Sequence, residues 1–321
     1  MRTGAAAGRT GYFHEALLYG SDDEFLAVAV PFLVGGAEAG EPTVVALGER
    51  TAGLVRAELP AGADVAFLGG GDTYARPAAA IRTYRELLAR LTAGGAGQVR
   101  IIGELQRVHM GSTWDWWARY EAAINRAFDD WPLWSMCAYD TRVASPAVVG
   151  EVLRTHPFVA CPDGSHRPSP AFVEPAAYLA HPPDATPDPL ERTAPAVSIT
   201  DPTAAQARAA AAAVAGPLLG GPDADGLVIA VSELVTNAHR HGAPPVRLDV
   251  WAAADRVVAT VRDGGAGPAD PYAGLLPAGD GTGTGGLGLW IAFQSCNHVA
   301  LRREPGAFTV RLTAGNACLP D

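Results

Sequence analysis

Lysine is absent from this chain. All 24 basic residues among its 321 are arginine, and that removes two chemistries at once. A Walker-type phosphate loop needs its lysine, and Schiff-base catalysis needs a lysine amine. Gly69-Gly70-Gly71-Asp72-Thr73 therefore reads as a turn after a strand and not as that nucleotide motif. Cysteine is scarce: Cys137, Cys161, Cys296 and Cys318 are scattered without metal-type pairing, so a reducing cytoplasm is the expected home. His156, Cys161 and His166 match no metal-ligand spacing and are set aside as a set. No apolar run is long enough to cross a bilayer and the N-terminus lacks a signal-peptide profile, so no membrane contact is expected. Positive charge is in deficit, and a net charge of −10 argues against direct DNA binding.

What is present supports packed cores. Hydrophobic residues make up 48% of the chain, and its length suits two domains better than one. The first half alternates short apolar runs with helix signals. Ala16 to Tyr19, Val44 to Leu47, Val65 to Leu68, Val99 to Gly103 and Leu133 to Tyr139 read as buried strands. Ser21-Asp22-Asp23-Glu24 is a capping box opening a helix toward Gly35 or beyond. Pro77 opens a second that stops near Gly94-Gly95, and a third covers Thr113 to Phe128. Such alternation predicts an α/β fold, a largely parallel sheet with helices on both faces.

Prolines crowd from Ser165 to Pro195, marking a stiff linker or a meandering connection. The expected domains are residues 10–180 and 198–315, with a Pro-rich linker over 181–197. Thr200 or Asp201 is expected to cap an alanine-rich helix over Pro202 to Ala215, which opens the second domain. Helix, two antiparallel strands, a glycine-rich lid, helix and two strands should follow, an α/β sandwich.

The chemistry concentrates in that second half. Leu227, Val231, Leu234 and Ala238 recur at helical spacing and should face a core. Glu233, Asn237 and His241 follow at four-residue intervals on another stripe, so one helix face presents a carboxylate, an amide and an imidazole together. An amide oxygen is a hard ligand suited to magnesium, and a carboxylate one turn earlier can take a proton from an attacking hydroxyl. A solvated polar face is the plain alternative.

Asp263 ends a strand-like run from Val257 and is followed by Gly264-Gly265-Ala266-Gly267. A carboxylate there can accept the exocyclic amine of adenine while the glycines turn the chain tightly against the base; an ordinary Asp-Gly turn is the alternative. Gly283-Thr284-Gly285-Gly286-Leu287-Gly288-Leu289 leads into an apolar helix, whose amides can cradle phosphates.

Taken in order, Ser232-Glu233-Leu234-Val235-Thr236-Asn237-Ala238, the glycines after Asp263, the second glycine run and the strand around Phe308-Thr309-Val310 resemble the nucleotide site of the ATPase superfamily of gyrase, heat-shock chaperones, histidine kinases and mismatch-repair proteins. Within it, Glu233-x-x-x-Asn237-Ala238-x-x-His241-Gly242 and Gly288-Leu289-Trp290-Ile291 resemble bacterial anti-sigma factors that are also serine-protein kinases. That resemblance implies ATP and Mg2+ as cofactors, with Glu233 as general base and Asn237 as magnesium ligand. It implies Asp263 reading adenine with help from Thr309 across a water. Gly265, Gly267, Gly285, Gly286, Gly288 and Leu289 would line phosphates and base, with His241 near the phosphates. Leu287 stands where many relatives carry a basic residue.

The first half resembles the sensory domain called MEDS. The matching residues are His14-Glu15-Ala16-Leu17-Leu18-Tyr19, Phe25-Leu26, Val30-Pro31-Phe32-Leu33, Tyr120-Glu121, Ala127-Phe128-Asp129-Asp130, Tyr139-Asp140 and Thr155-His156-Pro157. The resemblance implies a fold like that of recombinase- and clock-type ATPases stripped of the phosphate loop. His14, Glu104, His109, Glu121 and Tyr139 are its candidate sensory residues, with satisfied structural positions as the alternative; Glu104 follows a buried strand, where open α/β sheets place their ligand crevices.

Together the two halves imply a cytoplasmic regulator, a serine-protein kinase and anti-sigma factor under sensory control. Its expected partners are a sigma factor, an anti-anti-sigma factor, a small molecule at the sensory domain and a second copy of the chain. A sensor histidine kinase and a non-catalytic ATP-dependent binding module are the rival readings. The first of these needs a phosphoacceptor histidine on a helix before the site, and Pro202 to Ala215 contains none.

Overall fold

A computed structural model describes residues 2–69, 76–181, 183–277 and 287–318. The chain divides into two units. The first takes the described residues within Met1–Ala75, Ala80–Met110 and Ala118–His181; the second takes those within Arg76–Ala79, Gly111–Trp117 and Pro182–Asp321.

Chain order in the first half is β1 (Phe13–Tyr19), α1 (Asp22–Glu38), β2 (Thr43–Ala46), α2 (Glu49–Glu58), β3 (Ala66–Phe67), α3 (Pro77–Ala93), β4 (Val99–Glu104), α4 (Trp114–Ala127), β5 (Leu133–Asp140), α5 (Pro146–Thr155), β6 (Phe158–Ala160), β7 (His166–Pro168) and α6 (Pro175–Ala180). The strands form one sheet in the order β3-β2-β4-β5-β1-β6-β7. Every pairing is parallel except that of β6 with β7. β1, β2, β4 and β5 are buried along nearly their whole length, as a sheet covered on both faces requires. Their sequences are accordingly almost continuously apolar.

Helix α1 buries Phe25, Val28, Ala29, Phe32, Leu33 and Gly36, a stripe at three- and four-residue spacing. These pack on Phe13, Leu17, Val45, Ile102, Trp134 and Met136 of the sheet. Burial of each large apolar side chain stabilises by roughly 1.5–3 kcal/mol, so Phe25→Ala alone should cost about 3–5 kcal/mol. The start of α1 differs from the expected capping box. Ser21 Oγ does accept from the Glu24 amide at 3.2 Å, but the Glu24 carboxylate accepts from the Gly20 amide at 2.7 Å, one residue too early. The sheet's other face carries Ser135 and Cys137, which meet Tyr120, Ile124 and Phe128 around a small pocket.

The second unit is a five-stranded antiparallel sheet in the order β11-β12-β10-β9-β8 with helices on one face. Its elements are β8 (Val197–Thr200), α7 (Ala204–Ala215), α8 (Gly221–His241), β9 (Arg247–Ala252), β10 (Arg256–Asp263), α9 (Leu287–Ser295), β11 (His298–Glu304) and β12 (Ala307–Gly315). Leu227, Ala230, Val231, Leu234, Val235 and Ala238 of α8 are buried, the expected stripe. The opening of this unit departs from expectation. A strand, β8, precedes the first helix, and that helix is capped by Thr203 in a reciprocal box with Gln206. Asp201 instead adopts φ 50 and accepts a hydrogen bond from the Val246 amide at 2.8 Å. Thr203-x-x-Gln206 satisfies two otherwise orphaned donors, whereas Asp201 sits ahead of a proline.

The helix-free face of this sheet is dressed by residues 188–193, within the segment read as linker. Asp188 accepts from Arg256 at 3.0 and 3.1 Å, Glu191 from Arg311 at 2.7 Å, and the Thr193 carbonyl from the Trp251 indole at 3.0 Å. Among the described residues no helix is long and apolar enough to cross a membrane.

Candidate functional site

One cavity of about 380 Å³ opens between α8, β10, α9 and β12. Leu234, Val261, Leu289, Phe308 and Val310 give it apolar walls, and Asn237, His241 and Asp263 supply its polar lining. The strand register explains the walls. Val261 pairs with Val310 and Asp263 with Phe308, and directly opposed residues share one sheet face.

Asp263 is buried at the strand end, where its Oδ1 accepts the Gly265 amide at 2.7 Å and the Ala243 amide at 3.4 Å. Among the described residues Oδ2 takes no hydrogen bond, which leaves it for a ligand's amine. Gly267 has φ +76, and a Cβ there would lie 2.5 Å from the Phe308 ring; only glycine lets the loop pass this wall.

Gly288 joins the third element to the helix face. A Cβ on it would lie 2.5 Å from Asn237 Nδ2 and 3.2 Å from Glu233 Oε2. The start of α9 therefore abuts the carboxylate and the amide together, as a site that brings phosphates and metal to both would require. Glu233 itself stands one turn before Asn237 and is half-buried. His241 lines the same cavity at the exposed end of α8. Leu287 is 56% exposed, so it forms no cavity wall. Gly285 and Gly286 lie outside the described residues.

Thr309 is not brought into the cavity. It pairs with Arg262 and stands between Phe308 and Val310 on the strand, so its side chain projects from the opposite face. It is buried there with no hydrogen-bond partner for its hydroxyl among the described residues. Phe308, Pro268, Ala269 and Ala273 line the cavity without having been singled out in the sequence.

In the first unit three of the five candidates come together. His14 Nε2 lies 3.5 Å from Glu121 Oε2, and the Tyr139 hydroxyl donates to Glu121 Oε1 at 2.7 Å. Burial pulls the His14 imidazole down to about 3 and pushes the Glu121 carboxyl up. Two further residues share the cluster, Cys137 and His156. Nothing in their spacing could have announced them, because they meet only through the fold.

Glu104 is elsewhere, employed in architecture. It accepts from the Tyr19 hydroxyl at 3.1 Å, from the Gly48 amide at 3.1 Å and from the Thr51 hydroxyl, which ties the start of α2 to the end of β4. His109 lies on a 3-10 turn, Arg107–Met110, outside the cluster, and burial pulls its imidazole down to about 4. His166 is likewise apart, 2.7 Å from Glu15 Oε2.

Two family models match the chain. Residues 13–157 match the MEDS domain, the MEthanogen/methylotroph, DcmR Sensory domain, and residues 198–314 match the histidine kinase-like ATPase domain. No curated protein matches it. The chain thus joins a sensory domain to a histidine kinase-like ATPase domain, the make-up of a signal-regulated, ATP-binding regulator.

Proposed function

We propose that this chain, with its MEDS domain ahead of a histidine kinase-like ATPase domain, is an anti-sigma factor and serine-protein kinase of the cytoplasm. In this reading the second domain captures a sigma factor or phosphorylates a serine on an antagonist protein, and the first domain controls it. The observation that carries the reading is the convergence of Glu233, Asn237 and Gly288 beside a cavity with Asp263 in its lining.

The residues fit ATP with magnesium. Asp263 Oδ2 is open to an adenine amine, the apolar walls suit a flat base, and Gly288 leaves a notch where any side chain would block the phosphates' approach to Asn237. Magnesium would offset phosphate charge during transfer. Asn237 would hold it through the amide oxygen, a hard donor. Glu233 would accept the proton of the substrate serine as the serine oxygen bonds to the γ-phosphorus and the bond to the β-phosphate oxygen breaks, releasing ADP. Any signal reaching the second domain would act by biasing between arrangements of differing affinity, not by passing a phosphate.

Incubation with γ-labelled ATP, Mg2+ and antagonist proteins bearing an exposed serine tests this. Acid-stable label on a partner serine is the expected result. Label on a histidine of this chain would make it a histidine kinase, and binding without transfer would leave a non-catalytic module.

A further inference from the structure

The cluster at the centre of the first unit is independent of the nucleotide site. His14 comes from β1, Cys137 from the adjacent β5, Glu121 from α4 and His156 from the C-terminal end of α5. One donor atom from each lies within 4.8 Å of all the others. Around Glu121 Oε2 the two imidazole Nε2 atoms each stand at 3.5 Å and Cys137 Sγ at 3.8 Å, while Sγ is 3.4 Å from His14 Nε2. A tetrahedral ion with bonds of about 2.0–2.3 Å spaces its ligands at about 3.3–3.6 Å. These four separations sit at or close to those edges, and the other two lie within 4.8 Å.

Proton positions set which lone pairs face the cluster. The Asn125 amide nitrogen donates to the carbonyls of Glu121, Ala122 and Thr155 at 3.0, 3.3 and 2.9 Å. Its oxygen must therefore be the atom 3.0 Å from His14 Nδ1, and an oxygen accepts, so Nδ1 carries the hydrogen. His156 Nδ1 donates to the Val152 carbonyl at 2.8 Å. Both imidazoles thus turn an Nε2 lone pair inward. Glu121 Oε1 already accepts from Tyr139 at 2.7 Å, which leaves Oε2 facing the same point. His156 is fully buried and its Nε2 has no hydrogen-bond partner among the described residues. Four lone-pair donors converge on one point, and one cation engages all four at once, where a thiol proton and a carboxyl proton would serve only the two imidazoles.

We propose that His14, Glu121, Cys137 and His156 form a tetrahedral site for a zinc-class divalent transition ion. Two imidazoles, a carboxylate and a thiolate suit such an ion and not magnesium or calcium, which take oxygen ligands. Binding releases the Cys137 thiol proton to solvent as the sulfur–metal bond forms. Asn125, the Val152 carbonyl and Tyr139 hold the outward atoms of the ligands, the usual arrangement behind a metal-bound histidine or carboxylate.

The test uses the full chain stripped with a strong chelator and titrated with Co2+. One equivalent should bind, giving the intense visible bands of tetrahedral cobalt and a near-ultraviolet thiolate-to-cobalt band, both abolished by Zn2+. Cys137→Ser should lose the thiolate band and weaken Co2+ binding at least about tenfold, while Cys161→Ser should change neither. A parent protein that binds no stoichiometric cobalt, or shows only octahedral spectra, would overturn the proposal whether or not the variants fold. A thiolate band that survives Cys137→Ser in a folded protein would also overturn it.

Discussion

Asp263 and Gly265 are locked together, the glycine amide donating to Oδ1 at 2.7 Å across the turn that follows β10. That bond fixes the carboxylate and leaves Oδ2 as the atom proposed to meet adenine. Asp263→Asn can keep Oδ1 as an acceptor for Gly265 while placing an NH2 where an adenine amine must donate. A charge-assisted hydrogen bond is worth roughly 1.5–3 kcal/mol, so affinity for Mg-ATP should fall at least about tenfold with the fold intact. Calorimetric titration of the variant against the parent measures this.

Glu233→Gln should separate binding from chemistry. It keeps the side chain's shape beside Gly288 and removes the proposed base, a group that typically contributes about 10²–10⁴-fold. Nucleotide affinity should stay near that of the parent while phosphotransfer to a serine is lost. Paired equilibrium dialysis and transfer assays distinguish the two quantities, and an unchanged transfer rate would assign the base elsewhere.

Gly288→Ala tests the notch. The added carbon would lie 2.5 Å from Asn237 Nδ2, so Asn237 must turn away from its present position. Magnesium-dependent ATP binding should weaken by at least about tenfold, equivalent to about 1.4 kcal/mol. Magnesium-free binding should change less, since the adenine end of the cavity is untouched. Titrations with and without Mg2+ read the difference.

Acid should loosen the second unit through Asp188. Burial pushes this carboxyl up, but hydrogen bonds from Arg256 and the Leu190 amide outweigh it and hold the group below the ordinary carboxylate range. Its folded value is thus lower than its unfolded one. The resulting stability is fully present above the unfolded value of about 3.9 and is lost as pH falls through the folded value. Asp188→Asn should therefore melt lower at neutral pH yet show a flatter decline below about pH 4. Melting curves across that range, followed by tryptophan fluorescence, provide the comparison.

Much of the fold is legible in the sequence because the signals are local. Val99 to Gly103 and Leu133 to Tyr139 read only as buried strands, and both are. Pro77 and the Gly94-Gly95 pair bracket α3 as expected. Strand β8 escapes a sequence reading because it is only four residues long and sits between prolines at 195 and 202. The face of Thr309 is hidden for another reason: Phe308, Thr309 and Val310 are all buried. Composition alone cannot set the phase, which the pairing of Asp263 with Phe308 decides. Cys137 and His156 are invisible as partners because residues 14, 121, 137 and 156 share no spacing. Only a parallel sheet flanked by α4 and α5 makes them neighbours.

Where the second domain begins is a practical matter. The family match starts at residue 198, yet a fragment cut there would discard Asp188 and Glu191. Arg311 would lose Glu191, Arg256 would lose Asp188 and keep only Asp255 at 3.2 Å, and the Trp251 indole would lose the Thr193 carbonyl. The cut also uncovers the helix-free face of the sheet, and a small domain has little stability in reserve. A fragment from about residue 183 should express as a cooperative, ATP-binding protein, whereas the one from 198 should aggregate or melt early. Failure of the shorter piece would then trace to the stripped far side of the sheet, well away from the cavity proposed for the nucleotide.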